Sequence, residues 1–292
     1  MDNYCFFSYK DEIYPQILKT TKNPPKKLYY VGDLDILKNE RIISIVGTRN
    51  FTSYGKNCCE KIISYLSKYG VTIVSGLALG TDAFVHELAL KYNLKTIAVV
   101  GNGIDIVYPA TNRKLWEEIS KKGLILSEFE PGTKPFKVNF PMRNRIIAGI
   151  SKATVVVESR IKGGSLITAN IALEEGREVY AIPGDIFSIN SEGCNFLIRD
   201  FGAKLLTDGK EIVTDLDWEE HNKAENKNKN NYSNLSQLSN KILDNLNKEK
   251  NLDEILLLVG NEYRDSILSE LMELEILGHI KSVPGGKYKK IK

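Results

Sequence analysis

The stretch that decides the fold is residues 71–82, which read Val71-Thr72-Ile73-Val74-Ser75-Gly76-Leu77-Ala78-Leu79-Gly80-Thr81-Asp82. Its first half is short, β-branched and almost continuously apolar, which is typical of a strand buried on both faces of a parallel sheet. Glycines follow the strand, and a helical pattern begins at Asp82. A buried strand, a glycine loop and a helix in this order indicate an α/β protein.

The same alternation of strands and helices recurs along residues 41–208. Helical patterns cover Lys56–Tyr69 and Asp82–Tyr92, with apolar positions three and four apart. The predicted strands are Ile42–Val46, Val71–Ser75, Thr96–Val100, Gly123–Ser127, Thr154–Glu158 and Val179–Ile182. This pattern predicts a doubly wound parallel sheet, in which ligands bind outside the carboxyl ends of the strands.

The rest of the chain predicts a linker and a second, smaller domain. The run Asn226–Asn231 contains only asparagine and lysine and cannot supply a core, so it indicates a flexible linker. Apolar periodicity then returns and predicts three helices, the last over Arg264–Leu277, followed by a lysine-rich hairpin around Gly285-Gly286. This order is typical of a winged helix. We therefore predict an N-terminal extension over 1–40, a sheet domain over 41–215, a linker over 216–234 and a winged helix over 235–292.

Composition excludes several classes of protein. The chain has 292 residues, of which 42% are hydrophobic and 26% charged, as in ordinary globular proteins. No apolar run is long enough to span a membrane, and the N-terminus shows no secretory signal, so we expect a cytoplasmic protein. The four cysteines lack Cys-x-x-Cys spacing and only three histidines are present. We therefore expect neither a metal site nor a disulfide framework.

Charge is concentrated in one part of the chain. Residues 131–165 contain seven basic side chains and one acidic one, although the net charge of the whole chain is only +3. Such a local excess favours a phosphate-rich partner. A solvated basic surface without a partner explains the charge count equally well.

Glycine loops follow four of the predicted strands, at Gly47-Thr48-Arg49, Gly76–Gly80, Gly101-Asn102-Gly103 and Gly163-Gly164-Ser165. Glycine lets the backbone approach a ligand closely, and helix-start N–H groups can then face a phosphate. The P-loop signature is absent, and Ile106 stands where the dinucleotide fingerprint needs its third glycine. The loops thus predict phosphate binding, without a P-loop nucleotide or a tightly held dinucleotide cofactor.

The segment Asn139-Phe140-Pro141-Met142-Arg143-Asn144-Arg145 combines an aromatic ring with two arginines. Bases stack on rings and guanidinium groups hold phosphates, so this combination suits single-stranded nucleic acid. Alternatively, Phe140 belongs to the core and Arg143 to a structural ion pair.

Asp82 and His86, four residues apart, are expected at a helix N-terminus and on a polar helix face rather than in catalysis. Cys194 is expected to be a packed thiol.

Taken together, these motifs resemble the DNA-processing protein A family (DprA, also called Smf). The resemblance covers about residues 15–206, with the C-terminal domain as further support. The matching segments are Ile45–Arg49, Val74–Ala78 with Gly80 and Asp82, Phe140-Pro141 with Arg143–Ile147, Gly164–Ala169, Ala181–Gly184, and Gly193–Asn195 with Leu197 and Ile198.

The resemblance implies an extended Rossmann-like core in a non-catalytic protein that binds single-stranded DNA without a cofactor. Family members protect incoming DNA during natural transformation and load the RecA recombinase onto it, commonly as homodimers. For Arg145 the resemblance implies a structural role rather than a DNA contact. By position it implies that Gly47, Thr48 and Arg49 bind a phosphate in a pocket also lined by Ser75 and Gly76, that Lys137, Phe140, Arg143 and Asn144 form the strand-binding surface, and that Gly164 and Ser165 close it.

Three departures from the family pattern are visible. Residues 1–40 are too few for the helical SAM-like domain that many members carry. Gly163 stands where a serine is common, and Phe201 looks like an extra residue before Gly202.

Two other functions fit the sequence less well. LOG-type nucleoside-monophosphate phosphoribohydrolases also bind phosphate at loop glycines, but their signature Pro-Gly-Gly-x-Gly-Thr-x-x-Glu is missing. A winged-helix regulator needs a basic recognition helix. Residues 264–277 carry four acidic side chains against one arginine, which fits protein contact better than the major groove.

Overall fold

The computed structural model describes residues 4–220, 236–246, 248–277 and 279–290. It divides the chain into two compact units, Met1–His221 and Asn222–Lys292. None of the helices within those described stretches is long and apolar enough to cross a bilayer.

A nine-stranded sheet forms the centre of the first unit as described, in the order β1-β2-β6-β5-β4-β3-β7-β8-β9. Strands β3 to β9 are parallel to one another, whereas β2 pairs antiparallel with β6 and β1 pairs antiparallel with β2. The strands are β1 Phe6–Ser8, β2 Lys27–Gly32, β3 Ile42–Val46, β4 Thr72–Ser75, β5 Thr96–Val100, β6 Leu124–Ser127, β7 Ala153–Val156, β8 Glu178–Ala181 and β9 Lys204–Leu205.

The central strands match the prediction within one or two residues. They are buried along their whole length because helices cover both faces of the sheet, and this explains their continuous apolar character. Strand β3 lies between β4 and β7, with Ser44 opposite Val74 and Thr154. The carboxyl ends of β3, β4 and β5 therefore lie side by side at one edge.

Helices pack on the two faces of this sheet, with α5, α6 and α7 on one and α2, α3, α4 and α8 on the other. A short helix α1 packs beside α5. The helices are α1 Gln16–Lys19, α2 Ser53–Leu66, α3 Thr81–Lys91, α4 Arg113–Lys122, α5 Asn139–Gly149, α6 Gly164–Glu174, α7 Glu192–Asp200 and α8 Gly209–Asp215.

The N-terminal residues belong to the sheet and are not merely an extension of it. Strand β2 pairs with β6 through Tyr29–Ser127 and Tyr30–Leu126, and Leu28 is fully buried. In the predicted linker, Leu216 and Trp218 pack against the core of the first unit. Residues 221–234 of that linker lie outside the described residues.

The second unit has the predicted three helices followed by a hairpin. Helices α9 Gln237–Asn245, α10 Leu252–Val259 and α11 Ile267–Ile276 precede strands β11 Ile280–Val283 and β12 Lys287–Lys290, and a short strand β10 Lys250–Asn251 pairs with β12. Asn251 and Glu254 form a capping box at the start of α10. The predicted order of three helices and a hairpin is confirmed.

Candidate nucleic-acid interface

A small pocket of about 40 Å³ opens at the carboxyl edge of the sheet, above β4 and β5. Arg49, Gly76, Phe140 and Arg143, four of the predicted site residues, line it together. The other lining residues are Ala78, Leu79, Val100, Gly101, Asn102, Tyr108 and Pro109. A larger cleft of about 730 Å³ lies at the amino end of β3, where two lysines are balanced by two glutamates. It lacks the excess of positive charge that a phosphate backbone needs.

Arg143 is the central charged group of the pocket, although only 4% of the residue is exposed. It projects from the second turn of α5, and its Nη1 donates a hydrogen bond to the carbonyl of Val99 in β5. Gly76 makes room for it, since a Cβ at Gly76 would lie 2.5 Å from Cζ of Arg143. Burial lowers the pKa of Arg143 to about 10, so this guanidinium still carries its charge at neutral pH.

Asp82 is the acidic neighbour of Arg143. It lies in the first turn of α3 and is buried. Burial raises the pKa of Asp82, while the charge of Arg143 and hydrogen bonds with the backbone of Ala78 and Gly76 act in the opposite direction. The helix N-terminal position was predicted, but the electrostatic interaction with Arg143 was not.

His86 corrects one expectation. It was predicted on a polar helix face, yet it is fully buried, with Nδ1 2.6 Å from Oγ1 of Thr96. Helix α3 packs against the sheet and against both α2 and α4, so no polar face remains at that position. Burial lowers the pKa of His86 to about 3, and the charge of Arg143 contributes to this. His86 is therefore a neutral core residue at physiological pH.

Arg49 supplies an exposed positive charge at the rim of the pocket. It directly follows β3 in the loop Gly47-Thr48-Arg49, and its charge is close enough to lower the pKa of Arg143. Gly80 has φ +79°, and a Cβ there would lie 2.5 Å from the carbonyl carbon of Arg49. The loop can thus fold down onto the start of α3 only because residue 80 is glycine.

Two aromatic rings stand beside this arginine pair. Phe140 is half-buried and lies outside the hydrophobic core, and its ring centroid is 6.0 Å from Cζ of Arg143. Tyr108 is 42% exposed, with its ring 5.7 Å from that of Phe140 at 36°. A Cβ at Gly101 would meet Phe140 at 2.9 Å. Tyr108 was missed from the sequence, where an aromatic residue after the Gly101–Gly103 loop was the available signal.

None of the remaining predicted site residues lines this pocket. The Ser75 hydroxyl is buried and donates to the Ile45 carbonyl at 2.7 Å, so it supports the loop from below. Lys137 is exposed in the segment before α5. The side chain of Asn144 donates to the carbonyl of Gly164 at 3.5 Å, which joins α5 to the start of α6.

The two predicted residues at the start of α6, Gly164 and Ser165, differ in their exposure. Gly164 is exposed, with no atom near the position of its missing Cβ. The hydroxyl of Ser165 is buried and donates to Ser159 at 2.8 Å.

Gly47 and Thr48 lie in the Arg49 loop, where the Thr48 carbonyl accepts a hydrogen bond from the Thr81 hydroxyl. A direct DNA contact of these residues stays a prediction.

The basic stretch 131–165 does not form one surface. Arg145 makes an ion pair with Glu128 and donates to the Asn23 carbonyl at 2.8 Å, which confirms its structural role. Lys152 precedes β7 and lines the cleft at the opposite edge. Cys194 is fully buried, as predicted for a packed thiol.

Comparisons with known proteins identify the family of this chain. The family model for DNA recombination-mediator protein A matches residues 5–217. DNA processing protein DprA of Streptococcus pneumoniae is 43% identical over 212 residues, which is 73% of this chain and 74% of that protein. Protein Smf of Escherichia coli is 35% identical over 289 residues, 97% of this chain and 77% of its own length.

Solved structures give the same result. The structure of DprA from Streptococcus pneumoniae superposes with a TM-score of 0.71 at 43% identity, covering 75% of this chain and 76% of that one. DprA from Helicobacter pylori, described for its unique single-stranded DNA binding mode, superposes with a TM-score of 0.67 at 32% identity, covering 74% of this chain and 99% of that one. The chain belongs to the DNA recombination-mediator protein A family, as its sequence motifs predicted.

Proposed function

We propose that this chain is a non-catalytic single-stranded DNA-binding protein that protects incoming DNA during natural transformation and, as a homodimer, loads the RecA recombinase onto it. One observation carries the proposal. The pocket at the carboxyl edge combines two guanidinium groups, Arg49 and Arg143, with the accessible rings of Phe140 and Tyr108.

The two arginines differ in what they offer a DNA strand. Arg49 is exposed and can make a charge-assisted contact to a phosphate. Arg143 is held by the Val99 carbonyl, its charge interacts with that of Asp82, and it supplies a fixed positive potential beneath the pocket. Gly76 and Gly101 leave the space in which the side chains of Arg143 and Phe140 lie.

The rings favour a single strand over a duplex. In a duplex the faces of the bases are stacked on one another, whereas an unpaired base can stack on Phe140 or Tyr108. The family relative from Helicobacter pylori, with its described single-stranded DNA binding mode, supports this choice.

A binding role is also favoured over nucleotide hydrolysis. A phosphoribohydrolase would need a free carboxylate. Two candidates for this carboxylate are Glu158, which follows β7, and Glu174, the last residue of α6. Glu158 is buried and accepts from the backbone N–H and the hydroxyl of Thr52, both at 2.8 Å. Glu174 is exposed and lies 3.6 Å from Lys22. Incubation with AMP is expected to release no free base above a buffer blank.

The decisive experiment is a titration of the full chain with fluorescent single-stranded and double-stranded DNA of equal length at several salt concentrations. Single strands should bind more tightly, with a log–log salt slope of about −0.7 per phosphate neutralised. Lys95→Ala is a matched control, because Lys95 precedes β5 at the opposite edge of the sheet. Equal affinity for the two DNA forms would overturn the proposal.

The partner proposals need separate measurements. Sedimentation velocity of the purified chain tests the homodimer. RecA loading predicts that the chain shortens the delay before RecA hydrolyses ATP on single-stranded DNA, and an unchanged delay would count against it. Protection predicts slower nuclease digestion of bound strands.

A further inference from the structure

The last helix of the second unit, α11, carries an apolar stripe on its outer face. Leu268, Met272 and Ile276 are 53%, 67% and 85% exposed, and we call these three residues the α11 stripe. Their spacing of four places them next to one another along one side of the helix. The opposite side of α11 fills the core of the unit with Ile267, Leu271 and Leu274.

This helix is thus apolar on two sides, although folding of its own unit uses only one. On the preceding helix α10, Leu257 is also 78% exposed. Large apolar side chains exposed together on a small unit are typical of a protein interaction site. In a winged helix, α11 occupies the position of the recognition helix, so the stripe lies where DNA would otherwise bind.

The charge around the stripe identifies the kind of partner. Residues 252–277 contain seven acidic side chains and one basic one. Glu273 is exposed on one flank of the stripe, and Glu275 lies on the other. The basic residues of this unit are concentrated elsewhere, on the hairpin, at Lys281, Lys287, Lys289 and Lys290.

We propose that the α11 stripe is a docking surface for a cationic amphipathic helix of a partner protein. Three apolar anchors at intervals of four are the spacing with which one helix packs on another. The acidic flanks repel DNA phosphates and anionic lipid surfaces. A second copy of this helix would bring glutamates against glutamates, which disfavours self-association. The proposal does not depend on the DNA pocket of the first unit.

The test uses the full chain and two synthetic helical peptides labelled with fluorescein. Both probes present three leucines spaced by four, with lysines on both flanks in one probe and glutamates in the other. The chain is expected to bind the lysine probe at least tenfold more tightly than the glutamate probe, and less tightly as salt rises. The double variant Met272→Ser/Ile276→Ser should weaken binding of the lysine probe about tenfold or more.

Two further variants complete the design. Ile186→Ser removes an equally exposed apolar side chain from the first unit and should leave probe binding unchanged. Glu273→Lys keeps the stripe intact. This variant should bind the lysine probe more weakly and the glutamate probe more tightly than the parent chain does.

Equal binding of the two probes would overturn the proposal, as would full binding by the double variant. Self-association of the chain that disappears in the double variant would also overturn it, because the stripe would then join two copies. Sedimentation velocity on the same samples measures this, and the helical circular dichroism signal confirms that each variant is folded.

Discussion

Replacing Gly76 with alanine is expected to weaken single-stranded DNA binding by displacing Arg143. The added methyl group would lie 2.5 Å from Cζ of Arg143, whereas ordinary contact begins at 3.4 Å. The guanidinium must therefore retreat by about 1 Å or more. Because Arg143 is only 4% exposed and is held by the Val99 carbonyl, it has no open solvent into which it can swing.

The magnitude follows from the contacts that move. Losing the hydrogen bond between the charged guanidinium and Val99 should lower the free energy of unfolding by about 1.5–3 kcal/mol. Displacing the same charge from the pocket should cost a similar amount of binding free energy. That corresponds to an affinity for single-stranded DNA about 10- to 150-fold weaker.

The assay is a double-mutant cycle read by fluorescence anisotropy. Arg143→Lys keeps a positive charge beside Asp82 but lacks the planar guanidinium that occupies the space above Gly76. In this background Gly76→Ala should cost much less affinity than it does in the parent chain. If the two losses simply add, Gly76 does not act through Arg143 and the reasoning fails. Thermal unfolding of each variant separates lost affinity from lost folding.

Three other changes test separate parts of the site. Arg49→Ala should cost about 1.5–3 kcal/mol of binding free energy and reduce the salt slope, and an unchanged slope would show that Arg49 contacts no phosphate. Phe140→Ala should cost about 1–3 kcal/mol of binding and leave the salt slope unchanged, whereas a large fall in melting temperature with intact affinity would place Phe140 in the core. Because the pKa of His86 is about 3 in the folded chain and about 6.5 when unfolded, the unfolded chain binds more protons between these values, and stability should rise with pH across that window by at most about 1.4 kcal/mol per pH unit. Urea unfolding from pH 4 to 7 measures this slope, which His86→Gln should reduce; an equal slope in that variant would contradict the assignment.

The sequence predicts the fold best where buried residues form a continuous apolar run along the chain. The central strands are covered on both faces, so continuous apolar runs such as Ile42–Val46 mark them directly. The glycine loops follow these strands, and topology then brings them to one edge. Strands β1 and β2 were not predicted, because an edge pair with exposed positions has a weaker apolar pattern.

The site itself could be predicted only in part, because its contacts join residues far apart in the chain. Arg143 occupies the space left by Gly76, and neither residue indicates the other in the sequence. Asp82 and His86 look like surface residues of an amphipathic helix, but α3 is covered on several sides by the sheet and its neighbours. Tyr108 lies in an irregular segment without periodicity, so only the fold shows that its ring meets Phe140.

The glycines beneath the pocket have a consequence for protein engineering. At Gly76, Gly80 and Gly101 any side chain would intrude on Arg143, Arg49 or Phe140, so these codons tolerate little variation. A library that randomises the loops as a whole would consist mostly of damaged proteins. Diversity should instead be placed at the projecting positions 49, 108 and 140, which can change charge, ring size and hydrogen bonding without disturbing the backbone beneath them. Altered base or strand preferences are therefore reachable through three codons.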